Sequence, residues 1–350
     1  MSKFASERLS HLEPYTPGEQ PRIEKLIKLN TNESPFPPPQ SVTDAITGAA
    51  GRLHLYSDPQ GTELRAALAD YHGTDAENIT LGNGSDETLA FAFQAFGDRD
   101  RAFVFPDITY GFYPVFARLY GVPFAEIPLV DAFEINARDY IGIHKNIIIA
   151  NPNAPTGIAL GLDVIEQIAR SNPDNVVIID EAYADFAGDN ASAVPLTKTY
   201  DNLLVVRTFS KSRFLAGARL GYAVGNRALI ADIETVRYSF NPYNVNSLTL
   251  AAGAAAMREN AYYARHWGEI VRVREHTAAA LRELGMTVLS SSANFVFVKH
   301  PTISGAEMYA KLRERKILVR RLSRDRIADW LRITIGTEEQ MKTLITAIND

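Results

Sequence analysis

The chain has 350 residues, 46% hydrophobic and 22% charged, enough for a large buried core in two domains or in one domain with an appendage. Its net charge of −5 is carried by interspersed signs, which excludes an electrostatic case for nucleic acid or an anionic membrane. The absence of cysteine excludes disulfides, thiol catalysis and thiolate metal sites, and fits a cytoplasmic protein.

Residues 1–30 read as an irregular arm: Pro14, Pro17, Gly18 and Pro21 break any helix, and no apolar core of signal-peptide length is present. Tyr15 is an aromatic on this otherwise polar segment, a candidate staple to the body. Residues 28–39 place Asn30 and Asn32 ahead of three consecutive prolines, an extended passage able to cross a cleft or a subunit boundary. A helix over 41–51, a turn over 55–61 and a second helix over 62–71 follow. Tyr56, just before that turn, is open to core packing or to a ligand contact.

Residues 79–82 form a short strand running into Gly82-Asn83-Gly84-Ser85-Asp86-Glu87, with a helix over 87–96 and Ser85 or Asp86 as its cap. Glycines let backbone N–H groups approach an anion, and a helix N-terminus adds its dipole, so the stretch reads as a phosphate cradle. Glu87 stands where a dinucleotide fingerprint needs its third glycine, and the lysine of a P-loop is missing. A strand over 101–106 leads to a loop in which Tyr110 either stacks on a planar ligand or joins an aromatic core. A strand over 147–150 ends in a Pro- and Gly-rich loop over 151–157, a helix covers 162–171, and the apolar run 176–179 ends on Asp180, a carboxylate that is costly to bury unpaired. Residues 203–206 make another buried strand, followed by Thr208, Ser210, Lys211, Gly217 and Arg219. Burial and nearby cations lower a lysine's pKa until its amine can attack a carbonyl, and arginine's fork suits a phosphate. A solvated turn between two strands fits the same residues.

Strand–helix–strand repetition from 79 to 225 predicts a mostly parallel sheet with both faces covered. Beyond it come helices over 247–259 and 261–284, strands over 288–299, 317–321 and 331–336, and helices over 305–315 and from Glu338, an α+β unit. The division is an arm (1–30), a large domain (31–245) and a small C-terminal domain (246–350). His11, His54, His72, His144, His266, His276 and His300 show no ligand-like spacing, so no metal is expected. No apolar run approaches the roughly 18 residues of a membrane span.

A phosphate cradle, a strand-end aspartate with a tyrosine three residues on, and a hydroxyl-flanked lysine with an arginine are what pyridoxal phosphate needs for its phosphate, pyridine nitrogen and aldehyde. On these motifs, together with Asp180-Glu181-Ala182-Tyr183, the chain resembles fold-type I pyridoxal-phosphate enzymes of the aspartate-aminotransferase superfamily, most closely the histidinol-phosphate aminotransferase family, nearly end to end. The resemblance implies an α/β large domain with a mostly parallel seven-stranded sheet and a smaller α+β domain. It implies that Lys211 bonds the cofactor and shuttles the proton, that Asp180 keeps the pyridine nitrogen protonated, that Tyr183 bonds the ring 3′-oxygen and that Tyr110 stacks on the ring. Gly84, Ser85, Asp86, Thr208, Ser210 and Arg219 would surround the phosphate, with Tyr56 reaching the phosphate of a neighbouring subunit in a homodimer with shared sites.

At the position of the family's usual second loop asparagine this chain has Ala154, so either Asn153 takes the 3′-oxygen contact or Tyr183 carries it alone. Arg332 and Arg320 match arginines that hold the substrate's acidic groups, with Tyr15 and Asn30 closing over them; surface positions on an edge strand fit Arg320 and Arg321 as well. The implied reaction moves an amino group between L-histidinol phosphate and 2-oxoglutarate in histidine biosynthesis. An aromatic-amino-acid aminotransferase and a threonine-phosphate decarboxylase share nearly all these motifs. A non-catalytic cofactor-binding regulator lacks a DNA-binding module here, and a nicotinamide dehydrogenase leaves Lys211 unexplained.

Overall fold

The computed structural model describes residues 2–10 and 12–350; His11, one of the seven histidines, lies outside the described residues. The N-terminal segment carries helix α1 (Glu7–Ser10) and strand β1 (Ile27–Lys28), followed by α2 (Gln40–Ala50) and α3 (Thr62–His72). Next come β2 (Ile79–Gly82), α4 (Ser85–Phe96), β3 (Phe103–Pro106), α5 (Tyr113–Tyr120), β4 (Phe124–Ile127) and β5 (Asn146–Ala150). Then follow α6 (Leu162–Ser171), β6 (Val177–Asp180), β7 (Leu203–Thr208), β8 (Gly221–Gly225) and α7 (Arg227–Phe240). The seven strands β2 to β8 form one sheet in the order β2-β8-β7-β6-β5-β3-β4. All neighbours are parallel except β8, which runs antiparallel to both β2 and β7. The sheet is therefore mostly parallel, as its sequence predicts.

Alternation along the central strands explains why both faces are covered. Ile147, Ile149, Val177, Ile179, Leu203 and Val205 join one apolar cluster with Leu64 and Leu68 of α3 and Ile165 and Ile168 of α6. The intervening Ile148, Ile178, Leu204 and Val206 join a second cluster with residues of α4, α5 and α7. At roughly 1.5–3 kcal/mol for each fully buried large aliphatic side chain, these two clusters hold the strand ends rigidly in register.

The rest of the chain is α8 (Ser247–Arg258), α9 (Asn260–Glu283), β9 (Thr287–Val288), β10 (Phe295–Lys299), α10 (Gly305–Glu314), β11 (Ile317–Leu318), β12 (Arg320–Arg321), β13 (Trp330–Thr334) and α11 (Glu338–Asn349). An antiparallel sheet, β12-β13-β10-β9, anchors this unit. Helix α8, grouped by sequence with the C-terminal domain, packs against α2 and α3.

Three local expectations are corrected. Residues 288–299 are a hairpin, not one strand: the Ser291 hydroxyl donates to the Phe295 carbonyl at 2.6 Å and accepts from the Ala293 N–H at 3.1 Å, closing a turn between β9 and β10. Residues 317–321 split between two partners, since β11 pairs parallel with β1 while β12 pairs with β13. This pairing stitches the end of the N-terminal arm to the C-terminal unit. Neither Ser85 nor Asp86 caps α4, because Gly84 occupies the cap at φ +87° and Ser85 already belongs to the helix. Helix α5 and strand β4 were not legible, since the aromatic-rich run 112–127 shows neither a clean 3.6 nor a clean 2.0 period.

Candidate active site

The loops after β5, β6 and β7 leave the sheet side by side, because Ala150 pairs with Asp180 and Asp180 with Val206. That carboxyl edge is where open α/β sheets bind ligands. A single cavity there is lined by Ser85, Asp86, Tyr110, Asp180, Tyr183, Thr208, Ser210, Lys211 and Arg219 from the large sheet side. Tyr15 and Asn30 from the arm and Arg320 and Arg332 from the C-terminal sheet close its other end.

One end is built for an anion. A Cβ on Gly84 would fall 2.6 Å from Arg219 Nη2, and one on Gly221 would fall 2.3 Å from the Ser85 nitrogen. Glycine at both positions lets the 82–86 turn close on β8 with the guanidinium at its mouth. Helix α4 begins with no side-chain cap, so the N–H groups of its first turn are left for an anion. Arg219, itself left-handed at φ +56°, donates from Nη1 to Ser210 Oγ at 3.3 Å and pairs through Nη2 with Asp86 at 3.3 Å. The Thr208 hydroxyl donates to Ser210 Oγ at 3.0 Å, and the Tyr110 hydroxyl donates to the other Asp86 oxygen at 2.7 Å.

Deeper in, Asp180 accepts from the Tyr113 hydroxyl at 2.9 Å and from the Ala182 N–H at 3.2 Å. Burial raises its carboxyl to about 6, with the Tyr113 bond working in the other direction. Among the described residues no cation pairs with it. A protonated pyridine nitrogen would supply the missing charge, so the residues fit pyridoxal phosphate. Opposite, Lys211 Nζ donates to the Thr31 carbonyl at 2.9 Å. Burial, then the charges of Arg332 and Arg219, bring the amine down to about 8, against the pull of Glu33 and Asp86.

The far end carries two guanidiniums. Arg332 donates from Nη2 to the Asn30 carbonyl at 3.1 Å, and its buried Nε has no hydrogen-bond partner among the described residues. Arg320 donates to the Thr16 and Pro17 carbonyls at 2.8 and 3.1 Å. Tyr15 stacks on Phe112 with ring centroids 4.3 Å apart, and Asn30 Nδ2 donates to the Glu19 carbonyl at 2.8 Å.

The profile of the aminotransferase class I and II family matches residues 24–348. The chain belongs to this family. Histidinol-phosphate aminotransferase 2 of Dechloromonas aromatica is 50% identical to this aminotransferase over 353 residues, covering 99% of each chain. Histidinol-phosphate aminotransferase 1 of Bradyrhizobium diazoefficiens is 49% identical over 350 residues, covering 100% of this chain and 99% of its own. The crystal structure of histidinol-phosphate aminotransferase from Sinorhizobium meliloti in complex with pyridoxal-5′-phosphate superposes with a TM-score of 0.91 over 100% of this chain and 97% of that one, at 24% identity. At that identity the likeness speaks for the fold, which is the fold-type I architecture the motifs implied.

One expected residue of this aminotransferase lies elsewhere. Asn153 does not face the cavity: its Nδ2 donates to the Ile108 carbonyl at 3.0 Å and to Thr156 Oγ1 at 3.1 Å, and its Oδ1 accepts from Thr109 at 2.8 Å. Ala154 lines the cavity in its place. Tyr56 lies outside its own chain's cavity, 83% exposed and stacked on Tyr243 at 4.5 Å. Sequence reasoning missed Tyr113, Gly221, Thr31 and Asn32. The one available signal was Asn32, an asparagine within a turn-rich stretch; the others gain their roles only when distant strands meet.

Proposed function

We propose that this aminotransferase binds pyridoxal phosphate and moves an amino group between L-histidinol phosphate and 2-oxoglutarate. Once bound, the cofactor supplies an electron sink for the charge that develops at the substrate α-carbon. Lys211 would hold the cofactor aldehyde and, once the substrate amine has displaced it, would take and return the α-proton as a free amine, a task suited to a group lowered to about 8. Asp180 would keep the pyridine nitrogen protonated, and Tyr183 would donate to the ring 3′-oxygen. The 84–86 turn, Thr208, Ser210 and Arg219 hold the cofactor phosphate.

Arg332 and Arg320 hold the substrate's anionic group, roofed by Tyr15 and Asn30. The observation that carries the reading is the buried Asp180 with no cation of its own, set across one cavity from a lowered lysine and an anion cradle. Homologues that are half identical over the whole chain and carry the histidinol-phosphate aminotransferase name support the choice of substrate.

The enzyme works as a homodimer with shared sites. The exposed Tyr56 and Leu55, which line one groove with Leu250, support this reading, because Tyr56 is free to enter a partner's cavity. The cysteine-free composition supports a cytoplasmic location. The test is glutamate formation from 2-oxoglutarate with L-histidinol phosphate, L-phenylalanine or L-threonine phosphate as donor. Histidinol phosphate is expected to give the highest kcat/KM. Preference for phenylalanine, or carbon dioxide release from threonine phosphate, overturns the assignment.

A further inference from the structure

Asn32 is 1% exposed and held in the left-handed region at φ +56°. Its backbone N–H donates to Thr334 Oγ1 at 2.9 Å, the Thr334 hydroxyl donates to Asn32 Oδ1 at 3.1 Å, and its carbonyl accepts from Asn294 Nδ2 at 3.0 Å. A threonine hydroxyl has one proton to give. That proton goes to Oδ1, which fixes the carboxamide with its NH2 group toward Tyr183, where Nδ2 donates to the phenolic oxygen at 2.9 Å. The reversed carboxamide strands the Thr334 proton and draws the Tyr183 proton onto Asn32. With Asn32 as donor, the Tyr183 oxygen accepts and its own proton is left for the cavity it lines. The neighbouring loop offers no substitute, since Ala154 faces the cavity and the Asn153 carboxamide is spent on Ile108, Thr109 and Thr156.

We infer that Asn32 is a positioning residue that, by donating to Tyr183, aims the tyrosine proton at the 3′-oxygen of bound pyridoxal phosphate. The inference rests on that cofactor filling the cavity. The electrostatics agree in direction: burial pushes the Tyr183 hydroxyl up, while Arg332 and the Asn32 bond pull it down and make it a better donor. The same segment also touches Lys211, through the Thr31 carbonyl, so residues 31 and 32 address both groups that contact the reactive side of the ring.

The test is the pH at which the visible absorption band of the cofactor-loaded protein changes form. It is read in the wild type, Asn32→Gly, Asn32→Asp and the double variant Asn32→Gly/Ala154→Asn. Glycine accepts the left-handed backbone and removes only the carboxamide, whereas aspartate keeps the shape but cannot donate. A donor to the ring oxygen favours the form in which that oxygen carries the negative charge alone, so weakening the donor raises the transition pH. Both single variants are expected to move upward by about half a unit to one unit, the worth of one neutral hydrogen bond. Ala154→Asn is expected to bring the glycine variant back toward wild type by placing a donor on the same wall. An unchanged transition in both single variants overturns the role of Asn32. The wild-type band itself reports the cofactor, so that outcome leaves cofactor binding standing. If the glycine variant melts too low to load, the aspartate variant carries the test.

Discussion

The two ends of the cavity are built by different means. The cofactor end grows from adjacent strands of one sheet, where Asp180 and the residues after β7 are fixed by ladder pairing and by two apolar clusters. The substrate end is assembled from segments some 300 positions apart in the chain, residues 15–30 and 320–332, joined by guanidinium-to-carbonyl bonds from Arg320 and Arg332. The first end is rigid and, in the proposed reading, carries the chemistry. The second borrows its shape from an arm that itself has little regular structure, and in the proposed reading it carries the choice of substrate.

The largest way to break this contrast is at the cofactor end. Asp180→Ala removes one partner of a buried ion pair formed with the cofactor, worth about 3–5 kcal/mol, and is expected to lower kcat by roughly 10²- to 10⁴-fold while the melting temperature of the cofactor-free protein holds or rises. At the other end, Arg332→Lys keeps the charge but loses the fork, so KM for the phosphorylated donor should rise by about 10- to 100-fold. The visible cofactor band is expected to stay unchanged in that variant, which separates the two ends experimentally.

A pH series sharpens the same division. Asp180 has its pKa raised to about 6, so it is ionised above that pH and neutral below it. Only the ionised form holds a protonated pyridine nitrogen, and affinity of the empty protein for the cofactor should therefore fall by up to about tenfold per unit as pH drops through 6. The rate of cofactor capture should climb toward pH 8 and level off, as Lys211 loses its proton. Equilibrium dialysis and stopped-flow absorbance read the two effects separately. The smallest expected effect lies in the arm. Glu19 accepts from Arg313 at 2.9 Å and from the Tyr309 hydroxyl, pinning the arm to α10. Because Arg313 and Glu19 are about half exposed, Glu19→Ala should raise KM only a few-fold, in line with the roughly 0–1 kcal/mol of a surface pair.

The contrast also explains what was legible in the sequence. Gly84, Asp180, Lys211 and Arg219 announce themselves because each stands at a strand end or turn, where a polar residue after a buried apolar run needs a reason. A mostly parallel sheet was legible for the same cause, from the apolar runs at 79–82, 147–150, 176–179 and 203–206, whereas its seven strands were an implication of the family resemblance and β4 left no period to read. Tyr113 was not, because an aromatic in an aromatic-rich segment looks like core until β6 delivers Asp180 to its hydroxyl at 2.9 Å. Asn153 was a candidate because it stands beside Ala154 in a proline loop, and pattern does not show which of two neighbours faces the cavity; the fold commits Asn153 to the scaffold and turns Ala154 inward. Asn32 was named only for its turn-forming habit, since its partners Thr334 and Asn294 lie more than 260 positions away.

In the proposed reading, one cavity joins amino-group chemistry at the sheet edge to anion recognition between the arm and the C-terminal sheet. The most direct measurement is the visible spectrum of the cofactor-loaded protein during titration with L-histidinol phosphate in the absence of any oxo acid. The band is expected to fall in proportion to the donor added and to return on addition of 2-oxoglutarate. A spectrum that does not respond to histidinol phosphate but responds fully to phenylalanine contradicts the account at its substrate end, and a protein that shows no cofactor band after incubation with pyridoxal phosphate contradicts it at Lys211.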